Sequence, residues 1–575
     1  MDWKHLDSAR RDAGAIEVDL IEAYAQGKIN RRNFVKRGTV IGLSVPFMGG
    51  IIAACGGSSD GGGDTGAGEP GTTSASGGST PAAGGGTAGG TLTIANQKPS
   101  GPLDPIAMQD LGSYNLLAQS FEFLVGLNDE GDIGPTMLAT DWTPNDDGSV
   151  WTFTLREGVK WQDGSDFTSA DVAATMDRLV ASNNAAIAGV FEEGAVDASD
   201  PLTAVFTLTA SNGNLPYLVS VFNAQSVITP ASYEAGSTLD GMPNGTGPWK
   251  LDSYDPSTGA IFSRSETYWG EAPLLDSVNY QVFADIGGTG VTAMQGGSVD
   301  AIQQFSVVGG EGLLDSGDFT VLTPPSAAHR EIWMKCDTGQ FSDPRVRQAL
   351  ALTFNRQAMV DQLFTGRANI GNDHVFADFL PFFDASAVPQ RERDIEMAKQ
   401  LLSDAGFEGG ISAQLNCGDL QEIPDLANII VADAAEAGFT LTVNVESQDT
   451  FYGNQWCPAE PADPPCSGAA ELGIVDYGHR PVPDTFLNAA LKTGGVWNSS
   501  QYMNPEYDST FEDYQRAVTI EDQTAAATSL ATILNEEVPI GMAYFYDYLS
   551  GHSSSVTGMQ VTALGHTFVQ KASKS

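Results

Sequence analysis

"NDDGSVWTFTLREGVKWQDGSDFTSADVAATMDRLV", residues 145–180, decides how the rest of the chain is read. It opens on a turn, Asn145-Asp146-Asp147-Gly148. Trp151, Phe153 and Leu155 then alternate with Thr152, Thr154 and Arg156, the two-residue period of a half-buried strand. Val159 and Trp161 resume the pattern after Gly158, and Asp163-Gly164 is a second turn signal. Thr168 stands three residues before Asp171, a capping-box spacing. Val172, Met176, Leu179 and Val180 share one face of the helix that Thr168 would start. Turn, strand, turn, strand and capped helix make an α+β piece, and periodicity assigns it no chemistry.

The wording of residues 146–179 resembles the signature of family 5 extracellular solute-binding proteins, the oligopeptide, dipeptide and nickel receptors of bacterial ABC importers. Other landmarks follow in order. Leu103-Asp104-Pro105, Phe121-Glu122-Phe123-Leu124-Val125, "NGTGPWKL" (244–251), "SETYWGEAPLLDSVNYQVFAD" and "MQGGSVDAIQQF" with Asp300 are similar to the family's first-lobe segments. "VRQALALTFNRQAMVDQLF" after Asp343-Pro344 resembles the entry to its second lobe. The likeness covers almost all of 91–575 and fails between Gln448 and Ala470. It implies an α/β, two-lobed periplasmic-binding-protein fold of the class II type, with an additional α+β subdomain inserted in the first lobe. The expected division is lobe I at 91–127, 244–328 and 546–575, the insert at 128–243, and lobe II at 329–545.

Within lobe II the residues speak for themselves. Ile395, Ala398, Leu401 and Leu402 make a helix ended by Gly406, followed by a strand, "ISAQLNC". Residues 425–437 make another helix, ended by Gly438, followed by "FTLTVNVES". Strand, helix, strand at this spacing is a βαβ unit of a parallel sheet.

The N-terminal 90 residues read differently. Asn30-Arg31-Arg32-Asn33-Phe34-Val35-Lys36 resembles a twin-arginine export motif, and an uncharged apolar run from Gly38 to Ala54 follows. That run is short and interrupted by Gly42, Pro46, Gly49 and Gly50, which argues against a permanent membrane helix. Ile52-Ala53-Ala54-Cys55 resembles a lipobox, so residues 1–55 are expected to be a signal segment with a lipidated Cys55. Residues 56–90 are Gly, Ser, Thr and Ala with almost no large apolar side chain, a composition that cannot bury enough surface to fold. They should form a tether of about 30 Å root-mean-square reach.

Charge narrows the partners. The chain carries 28 Lys/Arg against 72 Asp/Glu, a net charge of −44, and beyond residue 55 the balance is 20 against 66. That charge argues against nucleic acid and anionic membrane surfaces as partners, and any membrane contact is expected through the lipid alone. No Cys-x-x-Cys pair occurs and the six His are scattered, so no zinc site or other cofactor is expected. Gly-x-Ser-x-Gly, His-Glu-x-x-His and Walker A motifs are also missing, which points away from an enzyme, although a secreted hydrolase or a lipoprotein sensor or chaperone stays formally open. Cys457 and Cys466, nine apart in a Pro-rich loop, are expected to form a local disulfide, with Cys336–Cys417 as a second pair in an oxidising compartment.

The resemblance also implies a binding site. "LGIVDYGHRPVPDTFLNAAL" is similar to the segment whose Asp, in peptide-binding members, receives the peptide's α-ammonium, and the matching residue here is Asp476. Gly473, Ile474 and Val475 lead to it and are expected to offer backbone groups to an extended ligand, as in strand addition. Tyr477 and Tyr546 are expected beside it, and His479 with Arg480 to meet an acidic group. Asn96, Gln97, Gln303 and Gln304 end strands and are expected to line the cleft. The expected solute is a peptide, delivered by a monomeric receptor to ABC permease subunits. A nickel chelate or oligosaccharide is the alternative.

Overall fold

The computed structural model describes residues 88–575 apart from 109, 129–131, 185, 235–243, 315, 381 and 459–462. Cys55, the twin arginines and most of the Gly/Ser-rich stretch lie outside the described residues.

Alternation of apolar side chains makes Thr91–Gln97 a central strand, with Leu92 and Ile94 fully buried. Parallel partners flank it, Ser277–Phe283 on one side and Ala301–Phe305 on the other. The seven-stranded sheet runs, edge to edge, Phe319–Leu322, Leu549–Ser553, Ala301–Phe305, Thr91–Gln97, Ser277–Phe283, Gly259–Arg264 and Trp249–Asp255. Asp300 ties this sheet to the chain end. Its carboxylate accepts from the Thr93 amide at 2.9 Å and pairs with Lys574 Nζ at 2.8 Å.

The second lobe is built on six strands in the order Ala368–Ile370, Ile540–Tyr546, His329–Met334, Leu472–Tyr477, Ile411–Gly418 and Phe439–Glu446. The βαβ unit is present. Ile411–Gly418 and Phe439–Glu446 are parallel and are joined by the helix Ile423–Ala435. Gly438 takes φ 105°, a backbone that a side chain at the helix exit would strain. Asp343 caps the helix Pro344–Thr353 by accepting from the Arg345 amide, and the break at Asn355 separates it from Arg356–Phe364.

Two short connections join the lobes, residues 323–328 and 547–548. They lie side by side, since the Tyr546 amide donates to the Ala328 carbonyl at 2.9 Å.

The stretch 145–180 folds as its pattern requires. Val150–Leu155 buries Trp151, Phe153 and Leu155 within a four-stranded antiparallel sheet, Ala139–Pro144, Val150–Leu155, Thr203–Thr207 and Val196–Asp200. The Thr168 amide donates to the Asp171 carboxylate at 2.9 Å, and the helix Ser169–Ala181 buries Val172, Met176 and Leu179, with Val180 half-buried. This region also reaches the second lobe. The Gly213 amide donates to the Gln515 carbonyl, and Asn214 donates to the Asp484 carboxylate at 2.9 Å. A Cβ on Gly213 would stand 2.2 Å from the Ala517 carbonyl oxygen, so only glycine permits that approach.

Cys457 and Cys466 form a disulfide with a Cα–Cα separation of 4.3 Å. Cys336 and Cys417 do not pair, which corrects the second expected bridge. The strand Leu472–Tyr477 separates their two strands. Strands two apart stand about 10 Å from each other, beyond the roughly 7 Å that a disulfide can span. Replacing both Cys457 and Cys466 by serine should lower unfolding stability by about 2–3 kcal/mol, the loop-closure effect for a ring of this size. Tryptophan fluorescence in urea reads it, because Trp456 adjoins the bridge and packs 6.3 Å from Tyr477 and from Trp497. An unchanged midpoint would refute a stabilising role.

Glu331, in the middle of the second lobe's sheet, is 1% exposed and its Oε2 meets no hydrogen-bond partner among the described residues. Burial pushes its carboxyl up to about 8. The native state therefore holds a proton that the unfolded chain releases above about pH 4.5. Stability from this group falls as pH rises, up to pH 8. Glu331→Gln should flatten the pH dependence of stability between pH 5.5 and 7 by up to about 1.4 kcal/mol per pH unit. Parallel profiles for the two proteins in urea unfolding would show that Glu331 is ionised in the fold.

Candidate functional site

Strand pairing brings two opposite charges together beside the lobe connections. Arg330 follows the first connection on the strand His329–Met334, and Asp476 stands directly across from it on Leu472–Tyr477. Arg330 is 1% exposed, while the Asp476 side chain keeps 28% exposure. Arg330 Nη1 donates to Asp476 Oδ1 and, at 2.9 Å, to the Tyr546 hydroxyl. Its other nitrogens reach Glu422, from Nε to Oε1 at 2.8 Å and from Nη2 to Oε2 at 3.1 Å, and Gln421 Oε1 at 2.7 Å. The Tyr546 ring covers the guanidinium at 4.2 Å, and its hydroxyl donates to Asp476 at 3.2 Å. Tyr544 donates to Glu422 at 3.1 Å.

The electrostatics follow from the count. Burial pulls the Arg330 guanidinium down, but Asp476 and Glu422 more than reverse this and hold it well above its usual value. Among the directly bonded groups one guanidinium, Arg330, serves two carboxylates, and Asp476 also feels the charge of Arg480. Glu422 is 8% exposed and committed to Arg330 through both oxygens, which leaves Asp476 as the carboxylate that reaches solvent.

Arg480 lies near this cluster with no carboxylate in ion-pair range among the described residues. Its Nη1 donates to the His479 carbonyl at 2.8 Å. Burial lowers its guanidinium, while Tyr114 and Asp476 pull it back up.

The expected site residues separate into those that meet here and those that do not. Asp476 and Tyr546 are brought together. Gln304 and Gln97 are half-buried and bonded to each other at 2.9 Å at the strand ends of the first lobe. Gly473 and Ile474 are corrected. They are buried in mid-sheet, paired with Trp333 and Ile332 on one flank and with Asn416 and Cys417 on the other, so their backbone cannot receive an added strand. Tyr477 is also corrected. It is buried among His329, Trp456, Phe486 and Trp497 rather than standing with Asp476. Asn96 is fully buried, its amide donating to the Gln97 and Gly112 carbonyls and its oxygen accepting from Asn115, which leaves nothing for a solute. Gln303 is likewise committed, to the Leu111 and Gly565 carbonyls.

His479 is corrected in charge. Burial drives its imidazole down to about 3, and Nδ1 accepts from the Ala327 amide at 3.0 Å, so it is a neutral brace under the first connection and not a cation for an acidic group. Sequence reasoning missed Arg330 and Glu422. The available signal was His329-Arg330-Glu331, three polar residues opening an otherwise apolar strand.

Comparison with known proteins agrees with this architecture. The family model described as "Bacterial extracellular solute-binding proteins, family 5 Middle" matches residues 135–460. The nickel-binding periplasmic protein of Escherichia coli (strain K12) is 28% identical over 390 residues, covering 62% of this chain and 71% of that protein. The glutathione-binding protein GsiB of the same organism is 29% identical over 317 residues, covering 54% of this chain and 61% of that protein. Among solved structures, the periplasmic binding protein DppA from Helicobacter pylori in complex with the peptide STSA superposes with a TM-score of 0.69 at 21% identity, covering 85% of this chain and 98% of that one. At that identity the likeness shows the two-lobed fold alone.

Proposed function

The chain belongs to the bacterial extracellular solute-binding proteins of family 5, and on that premise we propose that it captures a short peptide and hands it to an ABC permease. The relatives are solute-binding proteins, components of transport rather than enzymes. The observation that carries the peptide reading is the Asp476 carboxylate, half-open beside the lobe connections and supplied with more negative charge than Arg330 neutralises. A peptide's α-ammonium would pair with the open side of that carboxylate, since a desolvated ammonium needs such a partner. Arg480, whose guanidinium bonds to no carboxylate among the described residues, is suited to a carboxylate or carbonyl of the same molecule. Of the relatives, one binds glutathione and one structure holds the peptide STSA.

Closure of the two lobes about the paired connections would bury the solute and present one face to the permease. Anchoring through a lipidated Cys55 would keep the receptor beside it. Native mass spectrometry of the protein isolated from its own host tests the reading. Release of peptides with free N-termini is expected. Release of a sugar or a metal chelate alone would defeat it.

A further inference from the structure

A second feature between the lobes takes no part in the Asp476 cluster. A cavity of about 290 Å³ is walled by the first connection, the insert, the C-terminal return and two loops of the second lobe. Its lining is mostly apolar, with Phe222, Phe379, Pro481 and Met559 among the walls. It is roughly twice the size of the ~150 Å³ apolar cavity known to accept benzene. Among the described residues Asp132 is the one acidic residue of its lining. Its Oδ1 accepts from the Ile133 amide at 2.7 Å, and its Oδ2 lies 3.4 Å from the Tyr217 hydroxyl.

No cation opposes Asp132 among the described residues. Burial raises its carboxyl to about 7, with only the Ile133 amide and Tyr217 hydroxyl acting against it. His479, the other ionisable wall residue besides Tyr217, is held neutral by burial and so does not repel a positive guest. A carboxylate at the wall of an apolar chamber is unfavourable alone and favourable opposite an ammonium carried on a hydrocarbon stem.

We propose that this cavity is a subsite for an alkylammonium group, with Asp132 as counter-charge and the Phe, Pro and Met walls around the stem. On the peptide reading, that group is the side chain of a lysine-like residue. The inference rests on that reading only for the molecule that brings the ammonium. Because the walls come from both lobes, a guest here would also favour their closed arrangement.

The test uses n-hexylammonium and n-hexanol as free probes, followed by calorimetry on the full chain. The amine should bind at least 10-fold more tightly than the alcohol. Asp132→Asn should remove most of that difference and leave hexanol unchanged. Equal binding of amine and alcohol overturns the proposal without any variant, so misfolding of D132N does not protect it. Loss of the amine in D476N but not in D132N overturns it as well. Tripeptides Ala-Lys-Ala and Ala-norleucine-Ala then separate the two readings. A lysine preference of about 10-fold that vanishes in D132N is expected. Peptides that bind without that preference end the subsite and spare the peptide reading. An amine that behaves as expected while neither peptide binds ends the peptide reading and spares the subsite.

Discussion

Replacing Arg330 by methionine should destabilise the second lobe by about 3–5 kcal/mol, the usual effect of removing one partner from a buried charge cluster. The size follows from what stays behind. Glu422 is 8% exposed and would lose both of its guanidinium bonds, keeping only the Tyr544 hydroxyl. Asp476 would lose less, because it reaches water and keeps Tyr546. The ring of Tyr546, stacked on the guanidinium at 4.2 Å, would lose that contact too. A second substitution separates lost attraction from stranded charge. Arg330→Met with Glu422→Leu removes the buried pair together, and apolar replacement of such a pair is often neutral. The double variant should therefore recover most of the loss in urea unfolding. A single variant that loses under about 1 kcal/mol would mean that Glu422 is already solvated or protonated in the fold.

Asp476→Asn should weaken binding of free peptides by about 2–5 kcal/mol, or about 30-fold to several thousand-fold. The fold should tolerate this change far better than the loss of Arg330, since the guanidinium keeps Glu422 and Gln421. N-acetylation of the peptide should produce a similar loss against the unmodified receptor, because it removes the charge from the other side. The two changes should be non-additive if ammonium and carboxylate meet. Calorimetry on the four combinations decides it. Full affinity of the variant for free peptides would leave Asp476 as a structural partner of Arg330 and nothing more.

That alternative role became visible only with the sheet order in hand. Local sequence signals settled a good deal before that. The alternation of Trp151, Phe153 and Leu155 determined a strand and its buried face, because a two-residue period leaves one choice of side. Gly438 determined where a helix stops, and so the βαβ unit, because its left-handed backbone excludes other residues. The Pro-rich spacing of Cys457 and Cys466 pointed to a bridge that closes locally. The wording of residues 146–179 pointed to the family.

What the sequence could not show is which flanks of a strand are already used. Gly473 and Ile474 look like a free edge in the linear chain, but the sheet places Trp333 and Ile332 on one side and Asn416 and Cys417 on the other. Cys336 follows one strand and Cys417 lies near the end of another, and the interposed strand Leu472–Tyr477 keeps them apart. Arg330, Glu422, Asp476 and Tyr546 come from four segments spread over more than two hundred residues. Local periodicity encodes the face a side chain takes, whereas the partner across that face is chosen by long-range strand order. The chain by itself therefore determined its elements, their inward faces and its family, and the tertiary structure alone decided which carboxylates stand beside a cation, which stand without one, and which backbone is left for a solute.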